Sequence, residues 1–260
     1  MSTIDTAYSL PQAGALPTLV RDIRAKLGPW GFWGSLGWGL FACAAGMFSV
    51  LVYTIIWMLT HGLQTVNAED PSYGTATGIL VLSAPIVVLL IAAKVRKLSL
   101  RSYFALDGFS GRNLALGLAS LAALIAAFVA IQLLLGIEGG SKYMEATYRA
   151  AKTAGILPLM WLLMVVVAPV TEELFFRGFL HRGWAPSWLG VSGTIVVTAL
   201  LWALLHQQYN LLGILFIFVM GLIFGWMRQR SGSTLLPMAL HTANNVFATA
   251  LVTIQVEFLS

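Results

Sequence analysis

The sequence predicts an all-α membrane protein, a polytopic bundle of about seven transmembrane helices. Of the 260 residues, 58% are hydrophobic and only 10% are charged, whereas soluble domains carry roughly 25% charged residues. The mean hydropathy is +0.84. A spanning helix needs about 20 mostly apolar residues, and seven apolar stretches come close to this length. The chain has too few charges to cover a surface that faces water, so lipid is the expected solvent.

The predicted spans follow one another from residue 38 to residue 258. The fifth and sixth are short and are joined only by residues 207–210, which predicts a tight helical hairpin. The expected bounds are 38–59, 75–93, 114–135, 156–180, 191–206, 211–226 and 235–258.

The segment before the first span is polar, and we assign residues 1–29 to a cytoplasmic N-terminal segment. Residues 16–27 alternate apolar and charged side chains, as in an amphipathic helix that lies on a membrane surface. A frayed tail fits the same residues, so both interpretations stay open. The segment lacks the basic start and apolar core of a cleavable signal peptide. Residues 30–260 form the predicted membrane domain.

Basic residues divide into two groups along the predicted spans. Twelve of the 15 Lys and Arg residues precede span one or lie in the loops after spans two, four and six. Only Lys142, Arg149 and Lys152 lie between spans three and four. Because cytoplasmic loops carry an excess of Lys and Arg, the N-terminus is predicted inside and the C-terminus outside. This loop distribution explains the pI of about 9.6, so we expect no nucleic-acid partner.

Small residues recur at spacings that let membrane helices approach closely. Gly221 and Gly225 form a GxxxG pair in span six, and Gly31, Gly34 and Gly37 recur near span one. Both sets predict close backbone contacts in lipid.

Two adjacent carboxylates in span four are the first candidate site residues. On a helix, Glu172 and Glu173 point about 100° apart, so they cannot face one cavity in the same way. Glu173 and Arg177 are at i,i+4 and can pair along one face. This leaves Glu172 free for general-base chemistry. A purely structural Glu–Arg pair at the helix end is the alternative.

Spans five and seven supply two imidazoles and an amide. His206 ends span five and, taken alone, would be an ordinary interfacial residue. His241 and Asn245 are at i,i+4 in span seven, hence on one face, and Asn244 could share that face. A His and an amide donor can stabilise an oxyanion, although hydrogen bonds between helices would also explain the pair.

The combination is more specific than any of its parts. Glu172, His206, His241 and Asn245 come from three apolar helices and can meet only in a buried polar cavity. A general base, a proton shuttle and an oxyanion stabiliser predict attack of water on an amide. Glu172, His206 and His241 also form a His₂Glu set suited to Zn²⁺, so a zinc site and a metal-free site both stay open. Ser192 and Ser231 lie outside this cluster, so no acyl-enzyme is expected.

Three motifs in the second half of the chain resemble those of a known family. They are Glu172-Glu173-Leu-Phe-Phe-Arg177, Trp202-Ala-Leu-Leu-His206 and His241-Thr-Ala-Asn-Asn245. Their order and spacing resemble the CPBP family of intramembrane proteases, which includes CAAX proteases and the bacteriocin-processing, Abi-like proteins. The resemblance covers roughly the last hundred residues and places a catalytic core at about 156–258. The earlier residues resemble the family only in forming apolar spans.

The resemblance implies a role for each matched residue. Glu172 would activate water with help from His206, and His241 and Asn245 would form the oxyanion site. Glu173 and Arg177 would support the motif helix. The implied substrate is a membrane-associated peptide or protein, with lipidation left open. The compact length favours a bacterial plasma membrane.

Two features do not follow the expected pattern. The family's second motif usually begins with Phe, whereas Trp202 stands here, and we expect this exchange of aromatic residues to keep the packing. His206 also lies near the outer end of span five, so its depth could differ from that of Glu172 by about 10 Å. A later start of span five, a tilt of this helix, or a hairpin tip within the bilayer would each reduce the difference.

Two other functions fit parts of the pattern. Some relatives resemble scaffolds or bacteriocin-immunity proteins, which would use the same fold without catalysis. Glu172, His206 and His241 could also relay protons in a transporter. The chain lacks the paired broken helices in related halves that many transporters have, so an intramembrane endopeptidase is the favoured hypothesis.

Overall fold

The structure is a computed structural model that describes residues 30–67, 70–97, 99–137 and 141–259. Every regular element in these ranges is helical, as the sequence predicts. The segment 16–27, where an amphipathic helix was one prediction, lies outside the described residues. The helices are α1 (Gly31–His61), α2 (Pro71–Val95), α3 (Leu100–Phe104), α4 (Gly111–Leu134), α5 (Lys142–Thr153), α6 (Leu157–Trp184), α7 (Gly190–Leu204), α8 (Leu211–Ser231) and α9 (Leu235–Ile254).

Six of the described helices are long and apolar enough to cross a membrane, namely α1, α2, α4, α6, α8 and α9, the last continued by a π-helical turn to Leu259. The chain is a multi-pass integral membrane protein. The fifth predicted span is present as α7 but has only 15 residues, or about 22 Å at 1.5 Å per residue. This is shorter than a hydrocarbon core of about 30 Å.

The predicted hairpin of spans five and six is formed by α7 and α8. The Asn210 side chain caps the start of α8 by accepting a hydrogen bond from Gly213 N at 2.9 Å. A Cβ atom on Gly221 would lie 2.9 Å from Ala199 Cβ, and one on Gly225 would lie 2.9 Å from Ile195 Cγ2. The GxxxG prediction is therefore confirmed, because only glycine allows this approach of the two helices.

The glycine prediction for α1 holds at Gly31, because a Cβ atom on Gly183 of α6 would lie 3.0 Å from Gly31 O, but it is wrong for Gly37. A Cβ atom on Gly37 would meet nothing within 4 Å. The contact with α2 uses Gly46 instead, where a Cβ atom would lie 3.2 Å from Val81 O and 3.3 Å from the Pro85 ring. The spacing of the three glycines thus marked the correct helix, but the glycine that packs against α2 lies outside the predicted set.

Polar groups collect at the two opposite ends of α9. At its start, Thr234 N donates to Ala105 O at 2.9 Å, which holds the loop after α3 against this helix. Beyond its end, Glu257 accepts from Lys152 Nζ of α5 at 2.7 Å. Lys152, which the loop analysis assigned to the less basic side, therefore lies at the opposite end of α9 from the loop after α3. Which end faces the cytoplasm stays a prediction.

Candidate active site

Glu172 and Glu173 lie in a short α-helical stretch of α6 that is flanked by π-helical turns. The turns are Leu163–Val167 and Leu174–Leu180, and the stretch between them is Ala168–Glu173. π-helical turns widen a helix locally and frequently occur at functional sites. Glu173 is fully buried, whereas Glu172 is half-buried. The two neighbours therefore point into different surroundings, as their helical spacing predicts.

Glu173 is the centre of a buried network that joins four helices. Its Oε1 accepts hydrogen bonds from Arg177 Nη1 at 3.0 Å and from His241 Nδ1 at 3.1 Å. Among the described residues, its Oε2 has no hydrogen-bond partner. Arg177 also donates from Nη2 to Gly221 O at 3.2 Å, and its guanidinium lies 4.7 Å from the centre of the Trp202 ring. A buried carboxylate is thus compensated by one cation and one imidazole.

The His241 ring is held on three sides. Its centroid lies 5.2 Å from the Trp202 ring and 5.6 Å from the Phe224 ring. Because a carboxylate only accepts hydrogen bonds, Nδ1 carries the hydrogen that faces Glu173. The contact to Glu173 was not foreseen from the sequence, which assigned Glu173 only to Arg177.

Trp202 connects the remaining candidate residues. Its Nε1 donates to Glu172 Oε2 at 2.5 Å, and its backbone oxygen lies 2.8 Å from His206 Nδ1. The indole is also 5.3 Å from the His206 ring and is only 1% exposed. Glu172, His206 and His241 therefore share contacts with one tryptophan. Glu172 contacts α7 at Trp202, one turn before His206. The expected difference in depth therefore does not keep either Glu172 or His206 from contacting Trp202.

The geometry at His206 fixes which of its nitrogens is free. A carbonyl oxygen only accepts, so Nδ1 carries the hydrogen and Nε2 of the neutral ring keeps its lone pair. Tyr209 lies beside it with ring centroids 6.3 Å apart. Burial, reinforced by nearby Tyr143 and Glu172, raises the pKa of Tyr209 to about 12. Its hydroxyl is therefore protonated near neutral pH and can donate a hydrogen bond.

Asn245 is attached to α6 and makes no hydrogen bond to the other candidate residues. Its Nδ2 donates to Met164 O at 2.8 Å, within the π-helical turn Leu163–Val167. Its Oδ1 accepts from Asn244 Nδ2 at 3.2 Å. An amide nitrogen has two hydrogens, so one of them is left for another acceptor.

All six candidate side chains and Trp202 fall within a segment that matches a protein family. Residues 154–247 match the family described as Type II CAAX prenyl endopeptidase Rce1-like. This segment is similar to the CAAX proteases, and we call it the CAAX protease segment. The sequence resemblance to CPBP proteases is confirmed.

The chain is also similar to a protein of Escherichia coli. It is an uncharacterized 24.3 kDa protein that is 40% identical over 89 residues, which are 32% of this chain and 39% of that protein. The chain thus spans less than half the length of this relative. No solved structure matches the chain.

The zinc alternative does not fit the CAAX protease segment in this arrangement. The described residues contain no group of three or more His, Cys, Asp or Glu side chains placed to hold a metal ion. Glu172 faces the Trp202 indole, His206 Nδ1 faces a carbonyl, and His241 Nδ1 faces Glu173. These Nδ1 contacts leave Nε2 of each imidazole as the atom open to a metal, so the misfit rests on the lack of a three-residue ligand group among the described residues.

Sequence reasoning missed the contacts by which Trp202 joins the candidate residues of the CAAX protease segment. It treated the exchange of Phe for Trp as a matter of packing only. The signal was available, because an indole has an N–H donor that a phenyl ring lacks, and this donor reaches Glu172.

Proposed function

We propose that the protein is an intramembrane endopeptidase that hydrolyses a peptide bond of a membrane-associated or lipidated peptide or protein. The observation that carries this proposal is the hydrogen bond between Trp202 Nε1 and Glu172 Oε2 beside the free Nε2 of His206. A half-buried carboxylate with one oxygen fixed and an imidazole nitrogen with a free lone pair are suited to activating water. The match of residues 154–247 to a family of endopeptidases supports the same chemistry.

In the proposed reaction, Glu172 accepts a proton from water while the water oxygen bonds to the substrate carbonyl carbon. His206 Nε2 assists by accepting a hydrogen bond from the same water. The tetrahedral intermediate then collapses, the C–N bond breaks, and the proton held by Glu172 passes to the leaving amine. Water attacks directly, so no acyl-enzyme forms.

His241 and Asn245 are proposed to stabilise the oxyanion of this intermediate. Glu173 orients His241 through Nδ1, and in the doubly protonated ring Nε2 would donate to the oxyanion. Asn245 has one amide hydrogen beyond the bond to Met164 O. Glu173 and Arg177 act as positioning residues, since they touch His241 and Trp202 and not the reacting atoms.

Replacing His206 with Ala is expected to lower kcat by about 100-fold, in the range of general acid–base assistance. The assay uses the full chain in nanodiscs with C-terminal peptides that carry or lack a prenyl group, and mass spectrometry identifies the bond cut. Gln207→Ala is the control, because this neighbour is exposed, and it should cleave like the wild type. A wild type that cuts neither peptide form, or equal rates for both variants, would contradict the proposal.

Trp202→Phe is expected to lower kcat about 10- to 100-fold with little change in KM. The phenyl ring keeps the packing, but Glu172 loses a donor worth about 1.5–3 kcal/mol for a charged acceptor. Steady-state kinetics test this, with thermal unfolding in detergent to show that the fold persists. A fall in KM and kcat together, or an unchanged kcat, would show that the indole does not position Glu172 for catalysis.

A further inference from the structure

Outside the candidate active site, three arginines from separate elements converge on one recess. The recess has a volume of about 480 Å³ and lies where α3, the end of α6 and the end of α8 meet. Arg101, Arg182 and Arg228 line it together with a single carboxylate, Asp107. A second recess of about 330 Å³ is lined by Arg182 and Arg228 as well, and by His181.

The charges in the first recess are not balanced. Arg101 pairs with Asp107 at 2.9 Å. Within the described part of the chain, neither Arg182 nor Arg228 forms an ion pair with a carboxylate. Two guanidinium groups that share a recess repel each other, and the repulsion is larger next to lipid than in water. An anion between them would remove this cost.

The two unpaired guanidinium groups are held by the backbone in a way that fixes their position. Arg228 is 8% exposed, and its Nε donates to Arg177 O at 3.0 Å. Arg182 Nη1 donates to Ser102 O at 2.6 Å, while its Nε is buried and has no partner among the described residues. Positioned guanidinium groups with unused donors are suited to binding phosphate oxygens.

We propose that this recess binds a phosphate group, and that the phosphate belongs to an anionic lipid headgroup or to a soluble phosphate. Its position at the ends of α6 and α8 favours the lipid. The positive-inside rule predicts this end of the bundle to face the cytoplasm, where the leaflet is rich in anionic lipids. The site is separate from Glu172 and does not depend on the proposed peptidase activity.

The test measures binding of phosphatidylglycerol and of phosphatidylcholine to the detergent-solubilised full chain by native mass spectrometry. Arg182→Gln is expected to weaken phosphatidylglycerol binding at least fivefold and to leave phosphatidylcholine binding unchanged. Arg112→Gln is the matched control, because Arg112 is exposed, lies in the first turn of α4 on the same predicted side and does not line the recess. It should change binding less than twofold.

Two additional arms separate the ligand sources and the effects on folding. The thermal unfolding temperatures of the wild type and of Arg182→Gln are measured in inorganic phosphate and in chloride at equal ionic strength. If phosphate raises the unfolding temperature of the wild type but not that of Arg182→Gln, the site is assigned to a soluble phosphate. Arg228→Lys, which keeps the charge, should retain more binding than Arg228→Gln. Equal phosphatidylglycerol binding by wild type and Arg182→Gln, with no phosphate effect, would overturn the proposal. Displacement of phosphatidylglycerol by a peptide with a free C-terminal carboxylate, but not by inorganic phosphate, would also overturn the proposal.

Discussion

Replacing Glu172 with Gln is expected to lower kcat for peptide hydrolysis by about 10⁴-fold, the upper range for loss of a general base. The side-chain shape is conserved, and the amide oxygen can still accept the hydrogen bond from Trp202 Nε1. Only the ability to take a proton from water is lost. We therefore expect the thermal unfolding temperature in detergent to stay close to that of the wild type, so that the loss of activity reports chemistry.

Glu257→Gln is the control for this variant. Glu257 is also a carboxylate, but it lies in the π-helical turn that continues α9. It pairs with Lys152 at 2.7 Å, at the opposite end of the bundle from the arginine recess. It should retain wild-type kcat. Activity of Glu172→Gln within a few fold of the wild type would remove Glu172 from the role of base. Equal losses in both variants would point instead to a general effect of removing membrane carboxylates.

The fold could be predicted because lipid imposes a simple requirement on each segment. Long apolar runs must form helices that satisfy their own backbone groups, so the six long spans followed from hydropathy alone. The short α7 was predicted as span five with bounds close to those observed, because the polar residues 207–210 interrupt the apolar sequence after it. The cap at the start of α8, where Asn210 Oδ1 accepts from Gly213 N, is a local contact that hydropathy does not report.

The candidate residues could also be predicted, but not their partners. Spacing along α6 indicated that Glu173 and Arg177 can pair, because both lie on one helix. The bond between Glu173 and His241 joins residues 68 positions apart, and no local pattern reports such a contact. The zinc set has the same limit, since residue types suggest ligands but only tertiary structure brings their atoms to one point, and the described residues form no such group.

The position of Trp202 shows how one exchange can couple two parts of a site. Its indole nitrogen contacts Glu172, its backbone contacts His206, and its face receives the Arg177 guanidinium. The polar edge of the ring reaches the proposed base while the apolar face covers the buried ion pair. The Glu173–Arg177 pair thus supports the site through packing as well as through charge.

Arg177→Met is expected to lower the free energy of unfolding by about 3–5 kcal/mol, the cost of leaving one partner of a buried ion pair uncompensated. The Arg177 and Glu173 side chains are 1% and 0% exposed, so water cannot replace the lost cation. The change also removes the hydrogen bond to Gly221 O. Unfolding in mixed micelles with increasing sodium dodecyl sulfate would measure the effect.

The matched control is Arg149→Met, because Arg149 and Glu145 form an i,i+4 pair of similar length, at 2.9 Å, but with side chains 48% and 30% exposed. Solvent screens this pair, so the expected loss is only about 0.3–0.5 kcal/mol. The double variant Glu173→Gln/Arg177→Met should be less destabilised than Arg177→Met alone, since it no longer buries an unpaired carboxylate. Two outcomes would show that burial of charge does not govern this network. One is an equal loss of unfolding free energy in Arg177→Met and Arg149→Met. The other is a loss in the double variant equal to the sum of the losses in Glu173→Gln and Arg177→Met.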